Sequence, residues 1–338
     1  MKRYVLWFLA VLITLGAAVY QRLTGPTYPF RAKATIDGQS VSARLPRSSE
    51  NVADCEVKLR GIPGDVGGYL EYMRYKTQDA WTRVPLERSQ GALTTSLPKQ
   101  PAAGKLAYRV VLVKGDKEAV LNGDKPVVIR FKGVVPNWVL IPHIIVMFLA
   151  MLLSTAAGLA AFGKKSMDWP KFKLLPGLIL FIIGTGVPIA VIKIVGMPKL
   201  MMTNMLGNLA WIGLLASVGV GALLAALPVT VDYRKLANWT AVLIFVGGFI
   251  LGPLVQKFSF GVLWSGVPLG FDLTDNKTLI AFVGWLIALF LMRKGKPGRA
   301  GVVAAAILLM VIYSIPHSVL GSELDYSKLP PPASTLVK

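Results

Sequence analysis

The chain carries two kinds of hydrophobic patterning. Long apolar runs, broken by few polar residues, occupy Tyr4 to Tyr20, Trp138 to Phe162, Leu174 to Val195, Met205 to Leu227, Trp239 to Phe258, Thr278 to Met292 and Gly301 to Leu320. A helix crossing a ~30 Å hydrocarbon core needs about 20 mostly apolar residues, so these runs predict seven transmembrane helices. Between the first and second runs the pattern changes to short stretches of alternating polarity: RAKATI, SVSARL, CEVKLR, YLEYMRY, WTRVPL, ALTTSL, KLAYRVVLV, EAVLN and PVVIRF. Turn pairs such as Asp37-Gly38, Gly115-Asp116 and Gly123-Asp124 separate several of them. A period of two punctuated by such turns predicts an all-β sandwich.

The expected fold is therefore an α-helical polytopic membrane protein with about seven transmembrane helices and an all-β domain inserted between the first two. The expected boundaries are an N-terminal anchor at 1–26, a β-sandwich at 27–134, a six-helix membrane domain at 135–321 and a C-terminal tail at 322–338. The first run is longer than the usual core of an export signal and lacks a small-x-small cleavage site in good register, which favours an anchor.

Composition agrees with a membrane class: 54% of residues are apolar and only 16% charged. Half of the net charge of +20 is a topology signal. With the N-terminus inside, MKR, GKKSMDWPKFK, DYRK and RKGKPGR become cytoplasmic, and these four pieces hold twelve basic and two acidic residues. Positive charge accumulates on cytoplasmic flanks, so the β domain and the tail are expected outside, as in a bacterial inner membrane protein with periplasmic segments. The inner loops are too short to build a basic nucleic-acid face, so the bilayer and other membrane or periplasmic proteins are the expected partners.

Around Tyr108, the stretch LPKQPAAGKLAYRVVLV resembles a fibronectin type III or immunoglobulin-like module. In such modules a tyrosine near the start of a late strand closes a corner between the sheets, and Tyr108 is the matching position. The resemblance implies a binding surface more than catalysis. The immunoglobulin disulfide is absent because Cys55 is the only cysteine, and its expected role is a small apolar filler.

Within the membrane runs, Ala150, Ser154 and Gly158, then Gly213, Ser217, Gly221 and Ala225, and Gly248 with Gly252, recur every four residues. Such stripes let helix backbones approach closely, either within one bundle or across a homodimer. No Asp or Glu lies inside an apolar core, which argues against proton-coupled transport. Pro188 and Pro253 are expected to kink their helices.

The candidate chemistry centres on the two histidines. His143 and His317 each follow Ile-Pro and are expected at similar depth on the outer side, near Asp272, Asp275, Glu323 and Asp325. Two histidines from separate helices could be axial haem ligands, and histidines with carboxylates could bind a divalent metal. A quinone or lipid headgroup could also be held there. The plainer reading makes His143 and His317 donors to backbone carbonyls freed by Pro142 and Pro316, with Asp275 capping a helix and Asp272 forming an Asx turn. No CxxCH, HExxH, Walker or dinucleotide motif is present, so no catalytic residue is assigned and the balance leans away from an enzyme. The expected function is a non-catalytic binding or scaffold subunit of an envelope or electron-transfer complex. The alternatives are a haem- or metal-binding redox protein using His143 and His317, and a small-solute transporter or channel.

Overall fold

The computed structural model describes residues 3–123, 125–162, 232–316 and 323–328. The expected spans at Leu174 to Val195 and Met205 to Leu227, the glycine stripe from Gly213, Pro188 and His317 lie outside these residues. The chain divides into two compact units. One is built mainly of strands and the other of helices, so helices long and apolar enough to cross a membrane coexist with a substantial β region.

The β region contains β1 (Phe30–Ile36), β2 (Gln39–Leu45), β3 (Ser48–Glu50), β4 (Cys55–Arg60), β5 (Gly67–Arg74), β6 (Thr82–Pro85), β7 (Glu87–Ser89), β8 (Ala92–Leu97), β9 (Lys105–Lys114), β10 (Lys117–Leu121) and β11 (Val127–Lys132). A sheet of order β3-β11-β9-β5-β6, with β10 also on β9, accompanies a β4-β8-β7 sheet and a β1-β2 hairpin. Alternate residues of these strands meet in one core that includes Ile36, Leu45, Leu59, Leu70, Leu97, Leu112 and Phe131. Cys55 belongs to that core, where burial raises its thiol pKa.

Two features depart from the strand pattern in the sequence. β6 lies within WTRVPL and pairs with β5, but the pattern did not mark β7, which follows it and pairs with β8; the chain changes sheet at Leu86, which is buried and donates to Gly68 O at 3.0 Å. Pro85 has no N–H to extend the first ladder, which makes this a natural crossing point. The short β3 runs parallel to β11 and carries the polar sequence SSE, with no apolar alternation to betray it. Tyr108 is fully buried, and its hydroxyl donates to Pro46 O at 2.7 Å. It thus ties β9 to the β2–β3 connection, 62 residues upstream, rather than to its own preceding turn.

A row of charges crosses the large sheet. Arg83, Glu71 and Arg109 stand opposite one another on β6, β5 and β9. Glu71 Oε1 accepts from Arg83 at 3.0 Å and Oε2 from Arg109 at 2.7 Å. Burial raises the Glu71 pKa, but the two guanidinium groups outweigh it and hold the carboxyl below its ordinary value. Arg83 also lies over the Tyr69 ring and Arg109 over Trp81. Aromatic faces and a shared carboxylate thus spread the positive charge over one sheet surface.

The helical elements are α1 (Arg3–Thr24), α2 (Asn137–Phe162), α3 (Tyr233–Ile244), α4 (Gly252–Phe260), α5 (Leu273–Leu291) and α6 (Arg299–Ser314). A π-helical segment, Phe245–Leu251, joins α3 to α4, so Tyr233–Phe260 forms one continuous apolar helix. The expected kink at Pro253 takes this form. Proline lacks the N–H that would close onto the carbonyl of Phe249, and a wider i→i+5 turn removes the mismatch. Four described helices have the length and apolarity of membrane spans: Tyr4–Thr24, Asn137–Phe162, Tyr233–Phe260 and Leu273–Leu291.

Within the last expected span, the described helix is α6. It ends at Ser314, with Ile315 extended at φ −73° and ψ 118°. The residue before a proline is driven out of the helical region, and Pro316 imposes that stop.

Small residues set the helix spacing. A side chain at Gly158 would meet Ala306, one at Gly248 would meet Thr278, and one at Gly284 would meet Leu308. The stripes through Gly158 and Gly248 thus serve contacts between helices of this chain. Phe245 and Phe249 both pack on Phe282. At the α5–α6 turn, Arg234 donates to Gly295 O and Lys296 O, satisfying carbonyls beyond a helix end.

Glu71 is 9% exposed and Arg83 61%. Replacing Glu71 with Ala leaves two arginines facing each other and should cost about 3 kcal/mol. Replacing Arg83 with Ala should cost no more than about 1 kcal/mol, because an exposed ion-pair partner contributes little. Thermal unfolding followed by tryptophan fluorescence of the two variants checks this order.

Candidate functional site

The acids singled out in the sequence are all engaged by nearby groups, and they organise a loop and a strap. Asp275, in the first turn of α5, is buried. Its Oδ2 accepts from Ser265 N at 2.7 Å, Gly266 N at 3.1 Å and Gln256 Nε2 at 3.0 Å. Asp272 accepts from Thr274 N at 2.7 Å, and its own N–H donates to Ser265 O at 2.9 Å. Asn276 Oδ1 accepts from Val267 N at 2.7 Å. The expected capping by Asp275 is thus directed at the preceding loop, while Asp272 caps the helix start. Gly270 closes the loop against Ser265 O, where a side chain would clash.

These bonds hold the 261–272 loop in a shape that turns apolar side chains outward. Leu269 is 77% and Phe271 89% exposed, with Val262, Leu263 and Val267 also exposed. The amides of Ser265, Gly266 and Val267 are met by side chains of α5, while the loop's apolar side chains are presented.

Beside this loop the end of β11 meets the end of α4. Gly133 N donates to Ser259 O at 2.8 Å, and a side chain at Gly133 would run into the carbonyl of Phe258. Arg130, only 6% exposed, lays its guanidinium over the Phe260 ring at 4.0 Å. Burial lowers its pKa, while the carboxylates of Asp272 and Glu323 pull it upward. Two of the expected acids, from the loop and the tail, therefore act on one buried cation.

Glu323 belongs to a strap of tail residues laid on the β unit. Its carboxylate lies 2.6 Å from Lys105 Nζ and 2.7 Å from Lys76 Nζ. Lys105 stands opposite Arg130 in the β9–β11 register, a like-charge pair that an added carboxylate offsets. Leu324 N donates to Ala103 O at 3.2 Å, and Asp325 Oδ1 accepts from Ser327 N and Ser327 Oγ. Tyr326 is buried with its ring under Arg74. Its hydroxyl accepts from Lys105 N at 2.9 Å and has Lys105 O at 3.0 Å and Gln100 Oε1 at 3.1 Å as acceptors for its one proton. Burial pushes this phenol up to about 12. An open cleft of about 480 Å³, lined by Tyr75, Lys76, Thr77 and Lys105 among others, remains along the strap.

His143 lies half-buried in the second turn of α2. Among the described residues no three His, Cys, Asp or Glu side chains are grouped as a metal site. Arg130, Lys76, Lys105 and Tyr326 were not anticipated as site residues. The signal in the sequence was the pair of basic positions, Lys105 and Arg130, that the pairing of β11 with β9 brings face to face, which calls for an acid from elsewhere. No protein-family model, curated protein or solved structure matches this chain.

Burial raises the Glu323 pKa, but Lys105 and Lys76 outweigh it and hold the carboxyl below its ordinary value of 4.5. A depressed folded pKa means that the strap's stabilisation is complete above the unfolded value and fades as pH falls through the lower folded one. The protection of the Leu324 amide, measured as its exchange rate relative to an unstructured peptide at the same pH, should therefore hold near neutrality and be lost only in acid below 4.5. Gly133→Ala should destabilise the β11–α4 contact by roughly 1–3 kcal/mol through steric overlap, visible as a lowered thermal midpoint.

Proposed function

We propose that this protein is a non-catalytic membrane subunit that docks partner proteins through its β domain and outer loops. In this reading the chain has about seven spans, with the N-terminus cytoplasmic. The immunoglobulin-like β domain and the tail lie in the periplasmic space of a bacterial inner membrane. The observation that carries the proposal is the 261–272 loop: Asp275, Asp272 and Asn276 hold it in one shape while Leu269 and Phe271 face outward. A fixed loop with exposed aromatic and aliphatic anchors is how a docking surface reduces the entropy cost of association. The engagement of Asp272, Asp275, Glu323 and Asp325 in structural bonds supports binding over catalysis.

The test is chemical crosslinking of the protein in its native membrane, comparing the wild type with a Leu269→Ser, Phe271→Ser variant. The expected result is a specific crosslinked partner that is lost, or reduced about tenfold, in the variant, the size of effect of removing a hot spot. A protein that crosslinks to nothing in either form would overturn the proposal. The runner-up, a haem or metal centre on His143 and His317, predicts a visible absorption band or stoichiometric metal in the purified protein, abolished by His143→Ala. On the docking reading neither is present.

A further inference from the structure

The tail strap has the features of a bound peptide: a side-chain anchor at each end and a backbone hydrogen bond between them. Glu323 enters a clamp of two lysines, Leu324 bonds the chain through its amide, and Tyr326 fills a buried seat whose rim supplies a donor and two acceptors. Gly104 lines the seat: a side chain there would meet Gln100 and Pro101 of its own turn and the Tyr326 hydroxyl. The clamp also needs an anion: without Glu323, Lys105 faces Arg130 across the β9–β11 ladder with Lys76 alongside. An empty groove would thus leave positive charge uncompensated and strand the polar rim of the phenol seat.

We infer that this groove of the β domain is a recognition site for an acidic peptide segment carrying a carboxylate three residues before a tyrosine, and that the chain's own Glu323–Tyr326 segment occupies it as a tethered competitor. The requirement for a backbone amide and a phenol together selects a polypeptide over a lipid headgroup or a free anion. A partner bearing such a segment displaces the strap, and the open cleft along Tyr75 and Thr77 gives it a place to begin. The inference rests on the docking reading and names a second contact for it, distinct from Leu269 and Phe271.

The test uses the membrane protein in detergent and a fluorescent peptide of sequence SELDYSK, corresponding to residues 322–328. A chain ending at Gly321 should bind the peptide, as read by anisotropy, while the intact chain binds it at least about tenfold more weakly. Lys105→Ala in the shortened chain, and Glu-to-Gln or Tyr-to-Ala changes in the peptide, should each weaken binding about tenfold, the size expected for a charged hydrogen bond or a buried anchor. If the shortened chain does not fold, the intact chain carrying Glu323→Gln and Tyr326→Ala takes its place with the same expectations. A folded strapless protein that takes up the peptide no better than the intact one overturns the inference. If that protein still crosslinks its partner through the 261–272 loop, the groove alone is refuted. Loss of crosslinking in the wild type as well refutes the docking reading beneath it.

Discussion

The arrangement of the β unit depends on how excess positive charge is neutralised where little water reaches it. Arg130 and Lys105 face each other on neighbouring strands, and a carboxylate from more than two hundred residues away completes the set. The same solution appears on β5, where Glu71 sits between Arg83 and Arg109. In both places an acid is surrounded by bases, as expected of a basic chain that must fold with few carboxylates. Cation–aromatic contacts then absorb what the acids do not, with Arg130 on Phe260 and Arg109 on Trp81.

This economy explains why the conspicuous acids are structural. Asp275 serves two amides and a glutamine, Asp272 starts a helix, Asp325 closes a turn and Glu323 bridges lysines. Each accepts from a backbone, amide or ammonium donor close by in the fold. The outcome is a surface of fixed form, which suits recognition.

Much of the fold was legible because its patterning is strong. Strands such as CEVKLR and KLAYRVVLV alternate cleanly, and the runs at Tyr4, Trp138, Trp239 and Thr278 coincide with apolar helices of spanning length. What escaped were the elements without apolar alternation, the short strands SSE and ERS, and the end of α6 at Ser314, set by the proline two residues on. The site was legible only in part. Glu323, Asp272 and Asp275 stood out by type and place, but the pairing of Glu323 with Lys76 spans 247 positions and leaves no trace in periodicity. Tyr326 looked like an ordinary tail residue because its seat is made entirely by β5, β9 and the connection before β9.

The π segment before Pro253 has a geometric consequence for everything that follows it. Each residue of an α-helix turns about 100°, so a wide turn that accommodates one extra residue changes the azimuth of the downstream segment by roughly that amount. The side chains from Gly252 to Phe260 thereby fall on other helix faces than an unbroken α-helical count from Tyr233 would give. Deleting one residue between Phe245 and Leu251 would leave hydropathy nearly intact while changing which side chains of the helix share a face. The facing of those side chains is thus written in residue count as well as in residue type.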